Sequence, residues 1–182
     1  MTLSDSRLKK AVLAAVMAAI LSGLSVLTFP IGPVPVTLQT LGVFLALGLL
    51  GGKWGSVSVA LWLLLGALGV PVFSGFRGGI GVLIGNTGGY LFGFLLGALV
   101  FWALETKKKD SLLFTALGFL ACLAVCYAAG TAWFAIVSSS GGTGKSVLEI
   151  LSICVFPFLP VDLAKGALAL VLVRLLKKRL PV

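Results

Sequence analysis

Two opposite charges sit well inside an apolar stretch near the C-terminus, in Phe156-Pro-Phe-Leu-Pro-Val-Asp-Leu-Ala-Lys-Gly166. Asp162 and Lys165 are three residues apart, so on a helix they share one face. If that helix enters its apolar surroundings near Pro157, a rise of 1.5 Å per residue puts Asp162 ~8 Å and Lys165 ~12 Å below the mouth. In a membrane each such residue costs about 2.5–3.5 kcal/mol to insert, which rules out unpaired exposure to lipid. The pair either neutralises itself as a structural element or receives a ligand. A carboxylate accepts hydrogens from N–H groups, and an ammonium pairs with an anion. Intramembrane ionisable groups are by default functional, which favours the ligand.

Other candidate chemistry falls away on inspection. Ser138-Ser-Ser-Gly-Gly-Thr-Gly-Lys-Ser146 resembles a phosphate-binding loop, but the pattern GxxxxGK[ST] needs glycine where Ser139 stands. It is expected to be an outer loop, and the chain carries no ATPase motif. There is no histidine, no GxSxG and no close pair of carboxylates, so enzyme chemistry has nothing to stand on. Cys122, Cys126 and Cys154 lie in apolar runs without CxxC spacing, which predicts buried small side chains and neither a metal nor a cofactor. Glu105 and Asp110 flank Lys107–Lys109 and are expected to be solvated.

The elements that must position the pair follow from composition. Of the 182 residues, 59% are hydrophobic and 10% charged, with a mean hydropathy of +1.18. A soluble domain carries roughly 25% charged residues, so a soluble enzyme, a DNA-binding domain and a disordered tail are excluded. The net charge of +9 comes from short basic clusters between long apolar runs, the pattern of membrane topology rather than of nucleic-acid binding. The chain therefore reads as a single all-α integral membrane domain, 1–182. Six crossings are expected at about 11–29, 36–51, 54–70, 89–104, 111–137 and 157–176. The first is retained, being too long for a signal peptide's apolar region of ~7–15 residues. Eleven basic residues fall on the side of the termini: Arg7, Lys9, Lys10, Lys53, Lys107–Lys109, Arg174 and Lys177–Arg179. Two, Arg77 and Lys145, fall on the other. Lysine and arginine accumulate in cytoplasmic loops, so both termini are expected in the cytoplasm, with the protein multi-pass in the cell (plasma) membrane.

Several uncharged segments converge on the outer side. Gln39 and Thr40 open the second crossing, and 71–88 forms a long connection with six glycines and one charge, Arg77. Non-helical backbone at membrane depth is tolerated where it lines a cavity, so these segments predict an outward pocket that accepts hydrogen bonds and an anion. On the first crossing Ala11, Ala15 and Ala19 recur every four residues, a flat strip suited either to docking a partner membrane protein or to internal packing. No inverted repeat relates 1–91 to 92–182, which points to one part of a larger machine.

Four motifs in order resemble the BioY family over essentially the whole chain. They are Gly32-Pro-Val-Pro-Val-Thr-Leu-Gln-Thr40, Leu64-Leu-Gly-Ala-Leu-Gly-Val-Pro-Val-Phe73, Thr87-Gly-Gly-Tyr90 and Pro157-Phe-Leu-Pro-Val-Asp-Leu-Ala-Lys165. Members of that family are the biotin-binding S components of energy-coupling factor transporters. The resemblance implies a six-helix S-component fold, biotin held near the outer face, and partners consisting of a transmembrane coupling protein and two ATPases. It implies Asp162 and Lys165 as the binding pair; the uncharged outer segments place Gln39, Arg77 and Asn86 beside that pair, and Tyr90 and Phe73 are expected to wall the apolar body of biotin. The resemblance also implies Ala11, Ala15 and Ala19 as the docking strip. Asn86 stands where the family commonly has proline. Two other readings compete: a self-sufficient permease driven by an ion gradient through Asp162, and a structural membrane protein with no ligand.

Overall fold

The computed structural model describes residues 3–29, 36–105, 111–139 and 146–179. Lys107–Lys109, and Lys145 with most of the glycine-rich segment before it, lie outside the described residues. Helices dominate: α1 (Leu3–Val26), α2 (Gln39–Ala67), α3 (Ile80–Ile84), α4 (Gly88–Leu104), α5 (Leu112–Ser139), α6 (Val147–Cys154) and α7 (Leu159–Arg179). A two-residue antiparallel pair, β1 (Thr28–Phe29) with β2 (Val36–Thr37), matches Thr28 to Thr37 and Phe29 to Val36.

The helix α2 is a hairpin, not a rod. Gly51 has φ +78° and ψ 171°, a conformation open to glycine, and the chain reverses there. A Cβ added at Gly55 would lie 2.8 Å from the Cα of Leu47, so the two arms press together on either side of the turn. The helices expected at 36–51 and 54–70 correspond to these arms, 39–50 and 52–67. Glu105, expected to be solvated, is half-buried at the end of α4 and accepts the Gly52 N–H at 3.2 Å. An acid there offsets the open N–H groups at the start of the second arm.

Glycine spacing also sets the tightest helix pair. Gly89, Gly93 and Gly97, four apart on α4, face Trp133, Cys126 and Cys122 of α5. Added Cβ atoms would come within 3 Å of these partners, which is the close approach that small residues permit in membranes. The core beneath the site is aromatic: Phe44 of α2 stacks on Phe119 of α5 at 4.4 Å, and Trp62 meets Phe73 edge-on at 5.3 Å.

Two elements depart from expectation. The connection 71–88 contains α3 and a bridge between Phe73 and Arg77, rather than irregular chain throughout. The short helix α6 was not anticipated. Ser146, the last residue of the phosphate-loop lookalike, is its N-cap: the Ser146 Oγ accepts from the Glu149 N–H, and the Glu149 carboxylate accepts from the Ser146 N–H. A break of four residues containing Pro157 then bends the chain by 44° into α7.

The connections sort to two ends. One end gathers the β pair, the 68–87 connection and the α6–α7 bend. The other gathers the Gly51 turn and the end of α4, tied by Glu105.

Candidate functional site

The first end holds a small cavity of about 90 Å³ that opens to the surface. Every long element except α1 contributes to its wall. From α7 come Asp162 and Lys165, both in its first two turns and both buried, at 7% and 8% exposure. Pro160 is tolerated there because the first turn has no intrahelical partner for its missing N–H. Asp162 in that turn also meets the favourable end of the helix dipole.

The pair is held from three sides. The Lys165 ammonium donates to Asp162 Oδ1 at 2.6 Å and to the Thr37 carbonyl at 2.7 Å. The β pair fixes that carbonyl in place, which is how a two-residue strand comes to matter. The Tyr127 hydroxyl of α5 donates to Asp162 Oδ2 at 2.7 Å. An ammonium has three donors, so one remains for a ligand, and each carboxylate oxygen keeps acceptor capacity. Asp162 and Lys165 together carry no net charge. The pair thus offers an acceptor and a donor side by side, the complement of a neutral group with adjacent N–H and C=O.

Around it the walls are mostly apolar. Phe73 is fully buried, with its ring seated over Gly66 and against Trp62, whose Nε1 donates to the Val72 carbonyl at 2.9 Å. Tyr90 lines the cavity with its ring, which packs over Gly130, while its hydroxyl is turned to the Cys154 carbonyl at 3.3 Å. Gln39 is buried and donates to Ser25 of α1 at 2.8 Å. Arg77 lies exposed at the mouth, its Nε donating to the Ser74 carbonyl at 3.1 Å, with no acidic partner among the described residues. Its remaining guanidinium donors suit an anion.

Of the residues singled out from sequence, Asp162, Lys165, Gln39, Tyr90, Arg77 and Phe73 come together on this cavity. Asn86 does not: it is exposed, and its neighbour Thr87 lines the wall instead. Tyr127, Phe94, Cys154 and Phe158 line the cavity without having been anticipated. The usable signal for Tyr127 was that α5 is apolar around it and the chain has only two tyrosines. The strip on α1 lies elsewhere. Ala14 and Ala18 are buried, whereas Ala11, Ala15 and Ala19 are exposed, so internal packing does not account for them.

Comparison with known proteins follows the same lines. The family model described as the BioY family matches residues 1–182. A biotin transporter BioY from Thermotoga maritima is 42% identical over 152 residues, covering 84% of this chain and 86% of that protein. One from Rhizobium etli is 37% identical over 175 residues and covers 90% of each. The crystal structure of the S-component for biotin from an ECF-type ABC transporter superimposes with a TM-score of 0.84 at 31% identity. That match covers 98% of this chain and 95% of that one.

Proposed function

This chain belongs to the BioY family, and from that premise we infer that it is the substrate-binding membrane subunit of a biotin uptake system. It is a transport subunit of S-component fold, not an enzyme. The observation that carries the reading at the site is the buried Asp162–Lys165 pair facing a cavity whose surface is mostly apolar. Biotin has a neutral ureido ring with adjacent N–H and C=O groups, an apolar thiophane body and an anionic tail.

Charge assigns the two ends. The buried pair is already neutral, so a carboxylate brought to it would bury an uncompensated charge, which is strongly unfavourable. The ureido group fits there instead, with an N–H to Asp162 and its carbonyl to Lys165. The tail's carboxylate suits the guanidinium of Arg77 at the mouth. Phe73, Phe94 and the Tyr90 ring enclose the thiophane body between them.

Energy for uptake comes, on this reading, from a docked transmembrane coupling protein and two ATPases. The exposed Ala11, Ala15 and Ala19 face supports that arrangement. The bias of basic residues supports cytoplasmic termini in the plasma membrane, with the cavity opening outward. Mass spectrometry of the ligand retained by the purified protein, with calorimetric titration of biotin, tests the substrate. Biotin should co-purify at near one per chain, and a protein that neither retains nor titrates biotin would refute the reading.

A further inference from the structure

We infer that Tyr127 is a positioning residue, whose hydroxyl fixes the Asp162 carboxylate so that it presents an acceptor to the ureido N–H of the substrate. The inference rests on the biotin reading above and deepens it. Asp162 and Lys165 lie on the same helix at i,i+3, and that spacing alone leaves the carboxylate free to rotate. Rotated, it could offer both oxygens to the ammonium 2.6 Å away and leave little acceptor capacity for a ligand. Tyr127 prevents this from a different helix. Its hydroxyl takes Oδ2 at 2.7 Å while Lys165 holds Oδ1, so the carboxylate plane is set by two donors on opposite oxygens.

The surroundings favour such a role over simple bracing. Beneath Asp162, α5 and α7 border an apolar groove over Phe44 and Phe119, with Gly166 on its α7 side. The tyrosine hydroxyl meets Asp162 where this groove adjoins the cavity. Tyr127 lines both the cavity and a second apolar groove, which Ala128, Thr131 and Val155 also line. Ring and hydroxyl therefore serve separable purposes, a wall and a bond. Phenylalanine keeps the first and removes the second.

The test is a double-mutant cycle on the full-length purified protein, with biotin affinity measured by calorimetry for wild type, Tyr127→Phe, Asp162→Asn and the pair. A hydrogen bond to a charged group corresponds to about 10- to 100-fold in affinity. Tyr127→Phe should weaken biotin binding by that order while leaving the unliganded melting temperature nearly unchanged. In the Asp162→Asn background, where no carboxylate remains to be oriented, the same change should cost less than about 3-fold. Equal biotin affinity for wild type and Tyr127→Phe overturns the inference alone, because wild-type binding still upholds the substrate. A loss of equal size in both backgrounds also overturns it, since Tyr127 would then act without Asp162. A wild-type protein that binds no biotin defeats the substrate reading, and this inference with it.

Discussion

An ammonium and a carboxylate buried together lose several kcal/mol of hydration each, and are tolerated only where geometry and further hydrogen bonds compensate. Here the compensation comes from Thr37 and Tyr127, one on each partner. Removing either member leaves the other uncompensated, which typically costs ~2–5 kcal/mol, or about 30- to several-thousand-fold in affinity. Asp162→Asn and Lys165→Met should therefore weaken biotin binding by that order, while Leu170→Ile, a swap of similar volume, should change it little. Titration of biotin into the three variants, with their unliganded melting temperatures, measures this. A purely structural pair would lower the melting temperature and leave affinity in the folded fraction near normal. The pair was legible in sequence because charge inside an apolar crossing has few innocent explanations. Tyr127 was not, since its partner is 35 residues away and no local spacing signals a bond across helices. Asn86 misled for a related reason: which of two adjacent loop residues faces inward depends on the turn, and the turn before α4 presents Thr87.

At the scale of elements, one helix face has no partner among the described residues. The helix α1 packs on α2 through Ala14, Ala18 and Leu21, all buried. The adjoining strip of Ala11, Ala15 and Ala19 continues at the same spacing to Gly23, where an added Cβ would meet nothing within 4 Å. A surface this flat lets another helix approach closely, and van der Waals packing at small residues drives association in lipid. The change Ala15→Trp should block co-purification with the coupling protein and abolish sustained uptake, leaving biotin affinity unaltered. Overpacking an interface costs roughly 1–3 kcal/mol, about 5- to 150-fold in a docking equilibrium. Co-purification that survives tryptophan at both Ala15 and Ala19 would move the docking face elsewhere. The strip itself was readable from its four-residue period, but its exposure was not, because alanine spacing looks the same on an inward and an outward face. The helix α6 shows the reverse failure. Ser146 and Glu149 form the Ser-x-x-Glu signature of a helix start, which the glycine-rich run before it obscured.

Across the whole molecule, the distribution of charge and the position of the cavity agree. Exposed Arg7, Lys9 and Lys10 precede the apolar part of α1, Lys53 follows the Gly51 turn, and Arg174 with Lys177–Arg179 closes α7. All lie toward the end opposite the cavity, whose mouth carries Arg77. The gathering of basic residues at one end was legible from sequence because it depends on summed charge between long apolar runs. The cavity's shape was not, because it arises where helices distant in sequence meet: Thr37 touches Lys165 across 128 positions. Orientation can be tested from both ends at once. The native Cys122, Cys126 and Cys154 are buried and can be replaced by alanine, with retained biotin binding as the check on Cys154, which lines the cavity. In that background Phe76→Cys lies at the mouth, where the native side chain is 72% exposed, and Lys53→Cys lies exposed at the far turn. A membrane-impermeant thiol reagent added to intact cells should label position 76 and spare position 53. Permeabilised cells should show both labelled, which establishes that position 53 is reactive and was merely shielded by the membrane. Labelling of position 53 but not 76 in intact cells would invert the protein, turn its cavity to the cytoplasm and remove the basis for an outward-facing biotin site.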